Sequence, residues 1–179
     1  MGYKKLFWGF IFFFDFRLSG FDILPDIIGY ILFYQGLNML YERNEHFDKA
    51  KRFAIPLILL SVFSIYEVTV PLNEFTFNSY SILILLIGVA ATILNLMMIY
   101  NICIGISEEA RRIEDNDLET KALNRWKLYF VTNLLVLTVL IVRVPFLLAI
   151  LFIPIIILSL ISFIFMLILM NIASNKLKI

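Results

Sequence analysis

Leu128–Met170 reads LYFVTNLLVLTVLIVRVPFLLAILFIPIIILSLISFIFMLILM, 43 residues with one charge and two prolines. At the 1.5 Å rise of an α-helix this stretch is about 65 Å long, roughly twice the hydrocarbon core of a bilayer. It therefore reads as two spans. The natural fold point is Arg143-Val-Pro145, which leaves a helix from about Trp126 to Val142 and a longer one from Phe146 to Asn171, with Pro154 as a place for a kink. A turn nearer Pro154 would instead sink Arg143 deep in the bilayer, where an unpaired charge is costly.

The rest of the chain supports the same class. Hydrophobic residues make up 61% of the 179, against the roughly 45–50% of soluble domains, and the mean hydropathy is +0.92. The apolar runs do not alternate, which argues against a transmembrane β-barrel. The expected fold is all-α: one transmembrane helical domain over 1–179, an integral membrane bundle with four to five transmembrane helices. A net charge of +1 argues against nucleic acid as a partner. Cys103, the single cysteine, stands in an apolar run and reads as a small buried hydrophobe.

Further runs complete the pattern. Residues 6–14 are too few to span alone; they lie in the interface, dip in as a re-entrant segment, or join residues 15–18 in a short tilted helix. Lys4-Lys5 before them resembles the start of a signal peptide, but Asp15-Phe-Arg17 stands where small residues should mark cleavage, so none is expected. Ile23–Tyr41, Ala54–Leu72 and Ile82–Ile106 are each long enough to cross. Glu42–Phe53 reads as a polar loop in which His46, the only histidine, is solvated rather than a metal ligand. Asn95 and Asn101 in the third run are expected to bond across to neighbouring helices. Ser107–Trp126 reads as a helical extension past the membrane, with Glu108–Arg112 and Asp117–Lys121 as i,i+4 pairs. Its Glu-Glu-Ala-Arg-Arg run lacks the spacing and the later histidines of intramembrane prenyl proteases.

Lysine and arginine counts set the orientation. Four fall in 43–53, five in 107–127 and two at the C-terminus, against none in 73–81 and one at 143–145. The positive-inside rule puts the basic segments and the C-terminus in the cytoplasm, as expected for a multi-pass protein of a bacterial inner membrane. Asp15, Arg17, Asp22, Asp26, Glu67 and Arg143 then gather toward the outer surface. Glu67 with Arg143, and Arg17 with Asp15 or Asp22, are the natural pairs.

Around Asp26 the sequence is Phe21-Asp-Ile-Leu-Pro-Asp-Ile-Ile-Gly-Tyr30. Proline suits a first helical turn and the carboxylate after it meets the positive end of the helix dipole, so Leu24 is the expected N-cap and Pro25 the first helical residue. Asp22, Asp26, Gly29, Phe33 and Gly36 share one face, with Gly29 and Gly36 as helix-packing positions. With its Asp15-Phe-Arg17 lead-in, this stretch resembles a group of uncharacterised small bacterial polytopic membrane proteins. They share an Asp-Phe-Arg and Asp-x-x-Pro-Asp-x-x-Gly-Tyr signature, and the resemblance implies no activity.

No Ser-His, Cys-His or His-metal arrangement stands out, so no catalytic residue, metal or cofactor is assigned. The expected role is a non-enzymatic membrane-embedded partner or scaffold. Its partners are the lipid bilayer and other membrane proteins or further copies of the chain. The alternative is a small transporter or transporter subunit whose outer acidic cavity takes a cation, a proton or a polar headgroup.

Overall fold

A computed structural model describes residues 1–13, 17–18, 21–22, 26–62, 79–142 and 145–177. Six helices account for nearly all of them: α1 (Gly2–Phe12), α2 (Asp26–Leu37), α3 (Glu45–Ser61), α4 (Ser79–Arg112), α5 (Asn116–Val142) and α6 (Pro145–Lys176). Between α1 and α2, β1 (Arg17–Leu18) and β2 (Phe21–Asp22) form a two-residue antiparallel pair with Arg17 opposite Asp22. Each helix packs on the next and α6 returns to α1, so the six close into a ring.

Two of the described helices hold segments long and apolar enough to cross a bilayer, Leu85–Arg112 and Ile153–Lys176. The 43-residue run divides into α5 and α6 at positions 143–144, with Pro145 as the first residue of α6. By contrast, α1 and α2 have only 11 and 12 residues, about 17 and 18 Å of rise. The expected span Ile23–Tyr41 is thus cut short at Leu37. From there the backbone tightens into i→i+3 bonds (Met39 N to Gly36 O, Leu40 N to Leu37 O) and turns toward α3.

The short helices compensate by approaching closely. A Cβ built on Gly29 would lie 2.9 Å from the Gly9 carbonyl oxygen, and one on Gly36 would lie 2.9 Å from that of Gly2. Only glycine permits this backbone-on-backbone seam. Phe33 sits between the two glycines of α2, its ring edge-on to Phe10 at 4.9 Å and stacked on Phe13 at 5.2 Å.

Glu42–Phe53, read from the sequence as a loop, is mostly helix. The Asn44 side chain caps α3 by accepting from the His46 N–H at 2.8 Å, and Glu45–Lys49 and Asp48–Arg52 pair along the exposed face. The reversal between α4 and α5 is equally local. Glu114, at φ 57°, takes the left-handed position, and the amides of Glu114 and Asp115 reach back to the carbonyls of Arg111 and Ala110. Asp115 then caps α5 by accepting from the Leu118 N–H at 3.0 Å.

These connections bring the start of α1, α3 and α5 and the close of α2, α4 and α6 to one end of the ring. The core lies toward that end, where all six helices are present. Leu6, Phe33, Phe47, Ile99, Ile102, Leu118 and Met166 are fully buried there. Farther along α3–α6 the surface is apolar: Leu59, Leu86, Ile93, Leu134, Ile153 and Ile157 are each at least half exposed.

Candidate functional site

Of the six charged residues assigned to one outer cluster, Asp15, Glu67 and Arg143 lie outside the described residues. Arg17 and Asp22 are cross-strand neighbours in the β1–β2 pair. Asp26 is in the first turn of α2. Gly29 and Gly36 are buried against α1, so the face they share is occupied within the chain. Both act as helix-packing positions, as the sequence reads.

The charged end is where the described side chains converge. His46, far from being a solvated loop residue, lies in the first turn of α3 with its Nδ1 3.1 Å from Asn101 Oδ1 and its Nε2 3.6 Å from Glu108 Oε1. Asn101 donates its own amide to the Met97 carbonyl at 2.7 Å, leaving Oδ1 as an acceptor for the imidazole N–H. Glu108 also accepts from Asn44 Nδ2 at 2.5 Å. One carboxylate therefore ties the cap of α3 and its histidine to α4. This displaces the expected Glu108–Arg112 pair: Arg112 bonds Glu109 at 2.6 Å and the Arg43 carbonyl at 2.9 Å. The Asp117–Lys121 pair forms as spaced, at 2.6 Å.

A second set closes the ring at the same end. Lys176 of α6 bonds Asp115 at 2.7 Å, and Arg43 donates to the Leu177 carbonyl at 3.2 Å. The Lys176 ammonium and the Leu118 amide hold the Asp115 carboxyl below its usual range, and Asp115 in turn raises Lys176. A cavity of about 430 Å³ lies between Glu42, Arg43, Glu109, Arg112, Lys176 and Leu177. Arg112 and Glu109 pair with each other there, while Lys176 is held by Asp115 and Glu42 accepts from the Tyr41 hydroxyl.

The larger cavity is of another kind. About 580 Å³ opens between α1, α5 and α6, over Phe10 and Phe13 and lined by Tyr129, Thr132, Asn133, Ser159 and Ser162 among apolar neighbours. Among the described residues no carboxylate or base lines it. Asn95 of α4 donates to the Tyr129 hydroxyl at 2.9 Å, as expected of an interhelical amide.

Protein-family models, curated proteins and solved structures give no match to this chain. Among the described residues no three His, Cys, Asp or Glu side chains gather to hold a metal. Sequence reading passed over Ser159 and Ser162, although their i,i+3 spacing in an otherwise apolar run places them on one helix face. His46 reads as a solvated loop residue because its partners stand 55 and 62 positions away in Asn101 and Glu108.

Proposed function

We propose that this chain is a multi-pass integral membrane protein of the bacterial inner membrane, acting without catalysis as a membrane-embedded partner or scaffold. In this arrangement α3–α6 cross the bilayer, the α1–α2 hairpin enters from the cytoplasmic side and packs on them, and the charged end faces the cytoplasm. The observation that carries the reading is the apolar surface of α3–α6. Fully burying one such side chain is worth roughly 1.5–3 kcal/mol, and a water-soluble monomer rarely leaves more than a few hundred Å² of apolar patch exposed. Lipid is the solvent that such a surface fits.

The scaffold reading is favoured over a transporter by the two asparagines that a polar path would use. Asn95 binds Tyr129, and Asn101 binds His46 and the Met97 carbonyl. Both amides tie one helix to another.

Alkaline carbonate extraction and reporter fusions test the arrangement. The chain should stay in the membrane pellet, with an external signal from a fusion at residue 77 and a cytoplasmic one from the C-terminus. Release by carbonate, or a cytoplasmic signal at 77, would overturn it. Asp26→Asn separates the roles: an intact protein that loses a flux or growth phenotype would favour transport.

A further inference from the structure

The described arginines toward the charged end are bonded, with one exception. Arg43 donates to the Leu177 carbonyl, Arg52 to Asp48, Arg111 to Glu119 and Arg112 to Glu109. Arg125 of α5 makes no hydrogen bond or ion pair with any described residue. The carboxylates nearest to it along its own helix are taken, Glu119 by Arg111 and Asp117 by Lys121. What it meets is the Phe165 ring of α6, 5.8 Å from the guanidinium carbon and within the reach of a cation–π contact.

The guanidinium can be reached from outside. Arg125 is only partly buried, and Nη1 is the one nitrogen of the three that is enclosed without a partner. Nε and Nη2, the side-on edge that fits two oxygens of one anion, are left toward the surface. Phe165 beneath it is 42% exposed, on the same apolar face of α6 as Ile164 and Ile168. The charge therefore lies along the edge where α5 meets α6. Its height is that of a membrane surface: Arg125 is three residues before Leu128, where the last apolar run opens. Trp126, next to it, packs against Tyr100 at 5.2 Å, an aromatic pair of the kind that marks an interface. A charge at that level is unfavourable until something of opposite sign, or water, meets it.

From this we infer that Arg125, with the Phe165 face beside it, binds the phosphate of an anionic lipid at the α5–α6 edge. Basic positions between spanning helices on the cytoplasmic side take such head groups. Nε and Nη2 donate to two phosphate oxygens, and an acyl chain lies along Phe165 and Ile164. Among the described residues no carboxylate pairs with Arg125, so nothing there meets the ammonium of a zwitterionic head group, and a net negative lipid is preferred. This rests on the membrane residence proposed above.

The full chain in dodecyl maltoside, titrated with phosphatidylglycerol, phosphatidylcholine or inorganic phosphate, tests it by native mass spectrometry and thermal shift. Phosphatidylglycerol should add one retained molecule per chain and raise the melting temperature. Its affinity should exceed that of phosphatidylcholine about tenfold, the worth of one charge-assisted hydrogen bond. Inorganic phosphate should do neither. Arg125→Gln should lose the preference, and Arg125→Lys, which keeps the charge without the fork, should lose part of it. Lys127→Ala removes an exposed cation two residues on, roughly 200° around the helix, and should leave the preference within about twofold. If Arg125→Gln does not fold, the wild-type preference and Arg125→Lys decide. Equal binding of the two lipids, an unchanged preference in Arg125→Gln, an equal loss in Lys127→Ala or a melting shift with inorganic phosphate alone would overturn the assignment. Carbonate extraction of membranes holding the same chain keeps the two proposals apart: a chain that stays in the membrane yet shows no lipid preference sinks this one alone.

Discussion

The α1–α2 seam and the charged end hold neighbouring helices together by opposite means. Along the seam, backbone lies on backbone: Gly9 faces Gly29 and Gly2 faces Gly36, each carbonyl oxygen 2.8–3.0 Å from the opposite Cβ position, with the Leu6, Phe13, Phe33 and Leu40 side chains packed alongside. At the charged end the ties are long side chains such as Lys176, Arg112 and Glu108, which have room to find other partners. The seam therefore has almost no tolerance for added volume, while the charged end should absorb most single changes. The difference lies in whether the atoms at the contact can move out of the way.

The sharpest test of that contrast is Gly29→Leu. A side chain there meets the Gly9 carbonyl and the Phe13 ring within 3 Å, and the helices must separate. Overpacking of this kind costs roughly 1–3 kcal/mol where neighbours can yield and more where they are backbone. We expect the loss to exceed about 3 kcal/mol, read as loss of folded protein in a thermal-shift series in detergent. Gly88→Ala is the matched control, since nothing lies within 4 Å of its Cβ position. It should be neutral, or stabilising by about 1 kcal/mol through helix propensity. If both variants behave alike, the seam is not close-packed.

A smaller effect is expected from Glu108→Ala, which strips Asn44 and His46 of a shared acceptor. The loss should be about 1 kcal/mol, since partial exposure lets water replace the carboxylate. His46→Ala in the same background should add little, because the two residues act as one unit. Full additivity would show that they do not interact.

The smallest shift is expected for Lys176–Asp115, an exposed pair. The folded carboxyl is held low, so its contribution is complete above the unfolded value near 3.9 and fades as pH falls through the lower folded value. The folded ammonium is held high, so its contribution is complete below about 10.4 and fades as pH rises through the higher folded value. Between these limits stability should be flat with pH. Asp115→Asn should remove only a small increment, and high salt should erase it. A strong pH dependence of melting near neutrality that vanishes in Asp115→Asn would show the pair to be buried and coupled.

Much of the helical layout was legible. The Leu128–Met170 run divides into α5, ending at Val142, and α6, whose first residue is Pro145, because proline suits a helix start. Asp117–Lys121 pairs because its members are one turn apart. Local spacing misled where a distant partner competed better: Glu108 turns from Arg112 to Asn44 and His46, and the supposed loop at 45–53 is helix. The end of α2 at Leu37 was hidden for a related reason. The residues beyond it are still apolar, and hydropathy does not record where a backbone turns.

The sequence by itself determined the all-helical class, the division of the last apolar run and the clustering of basic residues in alternate polar segments. Each follows from period, proline chemistry and charge, which act over a few residues. Only the tertiary structure decided that α6 returns to α1, that Gly29 and Gly36 face Gly9 and Gly2, and that His46 meets Asn101 and Glu108. Those outcomes depend on which helices become neighbours, and helices of similar apolar composition do not announce their neighbours in the chain.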